Sequence, residues 1–189
     1  MEDFLIFFIS ILVIFIILKN TFFKNKVIRV TSKKDNITYI VRDLPDAHTA
    51  ADKLANVNSD IIKLIQSLPN NIKNKRLKDN YNKEALSETG IDSQYTSYSL
   101  NKGEKISLCL RTKKDETLFE DKNTLIFVMI HELAHIMTES VGHTKEFWDN
   151  MKYLLEEAEK INIYQPINYS KDNKEYCGVM INSTPYHFE

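Results

Sequence analysis

The segment His131-Glu132-Leu133-Ala134-His135 is an H-E-x-x-H set into an otherwise apolar stretch. In a helix, residues four apart share one face, so both imidazoles can reach a single metal ion. The intervening Glu132 then stands beside that ion, placed to take a proton from water held there. Imidazole ligands in a tetrahedral set suit zinc. Asn123 or Thr124, after Glu120-Asp121, offers a helix cap. Leu125, Phe127, Val128, Met129, Ile136 and Met137 make the helix apolar on nearly every side, as expected of one running through a domain centre. A surface helix carrying two histidines by coincidence would repeat its charges along its length. Here they are confined to the motif.

A chain of 189 residues allows one ordinary domain and an appendage. A net charge of -1 gives no whole-chain electrostatic reason to bind nucleic acid. Cys109 and Cys177 stand far apart with no C-x-x-C pattern, and the expectation is buried, reduced thiols in a reducing compartment. Phe4 to Leu18 is apolar except at Ser10. It follows an acidic Met1-Glu2-Asp3 and lacks a small-residue cleavage site, which favours a membrane anchor over a cleaved signal. Lys19 can snorkel, and the span can extend to Phe22-Phe23. Lys19, Lys24, Lys26, Arg29, Lys33 and Lys34 all follow the span. The positive-inside rule therefore predicts a single-pass membrane protein with a cytosolic body.

Along the body, Val27–Thr31 and Ile37–Val41 read as a β-hairpin. A helix opens at Asp43-Leu44-Pro45-Asp46 and carries Ala47, Ala50, Ala51, Leu54, Val57, Ile61, Leu64 and Leu68 on one face until Pro69. Asn70 to Lys83 is basic, with Lys73, Lys75, Arg76, Lys78 and Lys83. It reads as a solvated loop or helix face in preference to a phosphate-binding patch, because Asp79 interrupts it. Gln94–Leu100 and Lys105–Thr112 form a second predicted hairpin around Asn101-Lys102-Gly103. Its second strand is placed to offer an edge to an extended peptide. Phe147, Trp148, Met151, Leu154, Leu155, Ala158 and Ile161 mark a further amphipathic helix.

Two histidines leave a catalytic zinc site one protein ligand short. His143 is the preferred third, with Gly142 to turn the chain back toward the helix. Glu139, Glu156, Glu157 and Glu159 compete for the role. Tyr164, Tyr169, Tyr176 and Tyr186 are alternative donors to a developing oxyanion, and each also reads as a core aromatic. His48 and His187 read as surface or structural residues.

The motif followed by His143-Thr144-Lys145-Glu146-Phe147-Trp148 resembles the WLM and SprT-like zinc metallopeptidases, chiefly over Lys102 to Ala158. That resemblance implies zinc on His131, His135 and His143, with Glu132 as general base. It also implies that Glu146, Phe147 and Trp148 pack so as to position His143. This broad group includes proteases that degrade proteins crosslinked to DNA. No ubiquitin-binding or zinc-finger extension is visible here, and the apolar N-terminus departs from a nuclear repair role.

The expected fold is α+β: a zincin-like domain over residues 27–189, with a small mixed sheet packed on the motif helix, behind a transmembrane helix within residues 1–26. The expected activity is zinc-dependent hydrolysis of protein or peptide substrates at the membrane. Two other readings stand beside it: a catalytically silent zincin-fold binding protein, and a tethered adaptor whose basic segment binds nucleic acid or anionic lipid.

Overall fold

A computed structural model describes residues 4, 6–7, 9–15 and 27–186. Strands β1 (Val27–Thr31) and β2 (Thr38–Arg42) form the first hairpin. Helix α1 (Ala47–Ser67) follows, then the short helix α2 (Ile72–Asn80). Strands β3 (Leu86–Glu88), β4 (Tyr98–Leu100) and β5 (Lys105–Leu108) complete the main sheet. Helices α3 (Lys122–Met137) and α4 (Lys145–Lys160) come next, and a separate hairpin of β6 (Lys174–Tyr176) and β7 (Val179–Ile181) ends the series.

The five-stranded sheet runs β1-β2-β3-β5-β4. Its outer pairs are antiparallel, while β3 is parallel to both β2 and β5. This is the expected α+β class, with one correction of detail. β5, read from sequence as an edge, is paired on both sides, so β4 is the free edge next to the motif helix. Helix α1 buries Ala50, Ala51, Leu54, Ile61 and Leu64 against β1, β2 and β3. Those positions lie three and four apart, the stripe that amphipathic packing requires. Tyr39, Val41, Leu86, Ile106 and Leu108 supply the facing side of the sheet.

A buried guanidinium fastens one end of this core. Arg111 donates from Nε to Glu88 at 2.7 Å and from both terminal nitrogens to Asp46 at 2.7 and 2.8 Å. Paired carboxylates on a guanidinium fork are the geometry in which a buried charge is tolerated. The clamp ties the end of β3 and the start of α1 to the segment after β5.

Cys109 and Cys177 form a disulfide, which corrects the expectation of two reduced thiols. The sheet brings the end of β5 beside the β6–β7 turn, where the Tyr176 hydroxyl donates to the Cys109 carbonyl at 2.8 Å. A separation of 68 residues hid that neighbourhood. With the bond formed, the thiols no longer argue for a cytosolic body.

Among the described residues no helix is long and apolar enough to cross a membrane, so the expected span is not supported. Residues 9–15 are helical, and Ile9, Ile11, Leu12, Val13, Ile14 and Phe15 are exposed. Residues 16–26, holding the rest of that expected span and its nearest lysines, lie outside the described residues.

Candidate metal centre

Helix α3 begins where Asp121 accepts the Thr124 backbone N–H at 2.9 Å and its hydroxyl at 2.8 Å. The cap is therefore Asp121, two or three residues ahead of the Asn123 or Thr124 read from sequence. A carboxylate at that position satisfies a free helical N–H and meets the positive end of the dipole. The helix is buried along most of its length, including Ile126, Met129, Ile130, Leu133 and Ile136. This burial fixes its rotation and leaves His131 and His135 facing a cleft, their ring centroids 4.9 Å apart.

His143 joins them from the loop between α3 and α4. Its Nε2 is 3.1 Å from the Nε2 of His131. One ring nitrogen from each of His131, His135 and His143 lies within 4.8 Å of the others. Glycine lets the chain turn here, since Gly142 has φ +85°. Phe147 forms the floor, fully buried and 4.8, 4.4 and 4.6 Å from the three imidazoles. Trp148 flanks His143 at 5.6 Å. Glu146 acts on the backbone instead: its carboxylate accepts the N–H groups of Glu139 at 3.0 Å and Ser140 at 3.3 Å.

The rival carboxylates lie outside this cluster. Glu139 is exposed and lies 3.8 Å from Arg76. Glu157 pairs with Lys160, and Glu159 accepts from Tyr186. Glu156 lies near Lys152.

Burial and the neighbouring imidazoles push the pKa of His131 down to about 3. Burial, with the charges of His143 and Lys102 behind it, pushes His135 down to about 4. Both rings are thus neutral near pH 7, the form that ligates metal. Glu132 is only 4 % exposed. Burial raises its pKa to about 7, against the backbone N–H of Ser99, which favours the carboxylate. A carboxyl poised there can both take and return a proton near neutrality.

The cleft holds ≈ 710 Å³ and is walled by Tyr95, Tyr98 and Lys102 across from Val141 and Gly142. None of the four tyrosines considered from sequence lines it. Tyr164 and Tyr169 are buried behind α3 against Phe127, and Tyr186 lies beside Glu159. Tyr176 is buried with its hydroxyl bonded to Ser97 and the Cys109 carbonyl. Sequence reasoning missed Tyr95 and Tyr98, although their position just before the second hairpin turn was the available signal. His48 is exposed, as expected of a surface residue, and His187 lies outside the described residues.

The basic segment folds as α2, and several of its cations act within the molecule. Arg76 donates from Nε to the Ile136 carbonyl at 3.1 Å, and Lys78 donates to the Leu68 carbonyl at 2.6 Å. Lys75 pairs with Asp79 at 2.6 Å.

Known proteins resemble this chain in sequence or in fold. The model of the WLM domain family matches residues 33–184. An uncharacterized protein of Acanthamoeba polyphaga mimivirus is 33% identical over 176 residues, covering 89% of this chain and 88% of that protein. An uncharacterized protein of Invertebrate iridescent virus 6 is 34% identical over 84 residues, or 44% of this chain and 47% of that one. The crystal structure of Wss1 from Saccharomyces cerevisiae superposes with a TM-score of 0.52 at 22% identity, covering 64% of this chain and 86% of that one. That last likeness is one of fold.

Proposed function

Because the chain belongs to the WLM domain family, we propose that it is a zinc-dependent peptidase with His131, His135 and His143 as metal ligands and Glu132 as general base. The observation that carries this reading is the convergence of three imidazole nitrogens within 4.8 Å of one another, beside a buried carboxylate. The donor set fits zinc. With Zn–N bonds of about 2.0–2.1 Å, tetrahedral ligands stand roughly 3.3 Å apart, against the 3.1 Å between His131 and His143. Three protein ligands also leave a coordination position open, as catalytic sites do and closed structural sites do not.

Zinc, when bound, supplies a Lewis acid that polarises a carbonyl and acidifies water. The chain's own residues do the rest. Glu132 accepts the proton of the attacking water and delivers it to the departing amine nitrogen. The backbone N–H of Ser99 favours the ionised form of Glu132. The outer edge of β4, the last strand of the sheet, is where an extended protein or peptide substrate can lie along the cleft.

A catalytically silent zincin-fold protein would have no use for a buried carboxyl at this position, and that favours the enzyme. The purified protein is expected to carry one zinc per chain and to cleave an unfolded protein. Glu132→Gln should retain the metal and lose cleavage by about 10²–10⁴-fold. Cleavage persisting in metal-verified Glu132→Gln would sink the mechanism. Membrane attachment is the finer part of the proposal, supported by the exposed apolar side chains of residues 9–15. Co-flotation of the full chain with liposomes tests it, and recovery only in the protein-alone fraction would remove it.

A further inference from the structure

The β4–β5 hairpin does more than form a cleft wall. Its turn carries three consecutive residues with positive φ: Asn101 at 46°, Lys102 at 57° and Gly103 at 109°. That backbone turns the tip inward onto the helices. A Cβ on Gly103 would stand 2.9 Å from the Asn80 carbonyl oxygen and 3.1 Å from Cδ1 of Ile136. The hairpin tip is therefore seated between the end of α2 and the last turn of α3.

From this seat Lys102 reaches the loop after α3. Its Nζ donates to the Thr138 carbonyl at 2.7 Å and to the Ser140 carbonyl at 3.0 Å. These oxygens belong to the segment that ends the helix and leads to His143. Cations are favoured at a helix C-terminus, where free carbonyls carry the negative end of the dipole. The same segment is held by an anion on its amides, because Glu146 accepts the N–H groups of Glu139 and Ser140. Lysine on the carbonyls and glutamate on the amides grip one short stretch of backbone from opposite partners. Lys102 also lines the cleft with all three histidines, so a positive charge stands close to where a metal cation would sit. Coulomb repulsion disfavours that arrangement, and the two carbonyls offset it.

We propose that Lys102 is the positioning residue for the third ligand: it fixes the Thr138–Gly142 loop so that His143 meets His131 and His135 before metal arrives. This rests on the zinc reading above. It assigns Lys102 no contact with substrate and no role in proton transfer.

The test compares three full-length proteins. Lys102→Met keeps the aliphatic stem and removes the donors, while Lys102→Arg keeps donors at similar reach. Zinc affinity is read by competition with a chromogenic chelator. Loss of an outer partner of a metal site typically weakens binding about 10–100-fold, and that is the expected result for Lys102→Met. Lys102→Arg should recover most of this loss. Cobalt(II) substituted for zinc should give an altered visible spectrum in Lys102→Met, reporting a changed position of His143. Amide hydrogen exchange on the metal-free proteins supplies a readout that needs no zinc. Glu139 and Ser140 should exchange faster in Lys102→Met than in wild type, with protection regained in Lys102→Arg. Unchanged zinc affinity and unchanged exchange in Lys102→Met would overturn the proposal. So would a loss that Lys102→Arg does not repair at all. If wild type binds no zinc, the peptidase reading falls, and the exchange comparison alone decides whether Lys102 holds this loop.

Discussion

Glu132 illustrates how the burial of one side chain ties stability to pH. Its pKa rises from 4.5 to about 7 on folding, so between those values the folded protein holds a proton that the unfolded chain has lost. Stability from this group is full below pH 4.5 and is lost as pH rises through 7. His131 and His135 act in the other direction. Their pKa values fall from 6.5 to about 3 and about 4, so the unfolded chain takes up protons first and stability drops as pH falls below 6.5. Glutamine removes the first effect and leaves the second. In the metal-free protein, Glu132→Gln should therefore raise stability at pH 8 by on the order of 2–3 kcal/mol and give no gain below pH 4.5, as urea denaturation at both pH values would show. His143→Ala should weaken zinc binding, and an unchanged affinity would return the third ligand to a helical glutamate. The shared face of His131 and His135 was legible because helical spacing turns a short pattern into a face. Lys102 was visible only as part of a turn, since its reach depends on left-handed backbone angles that the residue names do not specify.

Elements with a period were readable and the short ones were not. The stripe of α1 and the apolar body of α3 repeat over many residues, which makes their buried sides evident. Strands β3, β6 and β7 have three residues each. Three residues carry no measurable alternation, and β3 buries Ser87 and Glu88 beside Leu86. Its place in the sheet comes from the Arg111–Glu88 bond and from parallel pairing on both sides. The β4–β5 hairpin was foreseen as a pair but drawn too long, because the segment before Tyr98 leaves the sheet to form the cleft wall. Its seat against the end of α2 and the last turn of α3 makes a specific demand. Gly103→Ala would place a methyl group against backbone at 2.9 Å with φ +109°. A loss of about 1–3 kcal/mol is expected, together with faster amide exchange in β4. A stability within about 0.5 kcal/mol of wild type would show that the tip is free to lift away from the helices.

At the scale of the molecule, the ties between distant segments of the described residues include the parallel strand pairs, the Arg111 clamp and the Cys109–Cys177 disulfide. None was legible, because each depends on neighbours far apart in sequence. Closing a loop of 68 residues is worth about 4 kcal/mol on a chain-entropy basis. Reduction with a dithiol should lower the urea midpoint accordingly, and an unchanged midpoint would show that the unfolded chain gains little freedom when the bond opens. The Arg111 clamp makes a contrasting prediction. Arg111→Met strands the buried Glu88 carboxylate and should cost about 3–5 kcal/mol, whereas the double change Arg111→Met with Glu88→Gln should recover part of it.

The backing of the cleft wall by Tyr176 also imposes an order in time. Its hydroxyl braces Ser97 and the Cys109 carbonyl, yet His131, His135 and His143 all precede it along the chain. Ribosomes add about 5–20 residues per second, so a nascent chain carries all three imidazoles for roughly two to seven seconds before this brace is made. During that interval the wall beside the three histidines lacks its support. The growing chain thus carries all three histidines before the wall beside them is braced.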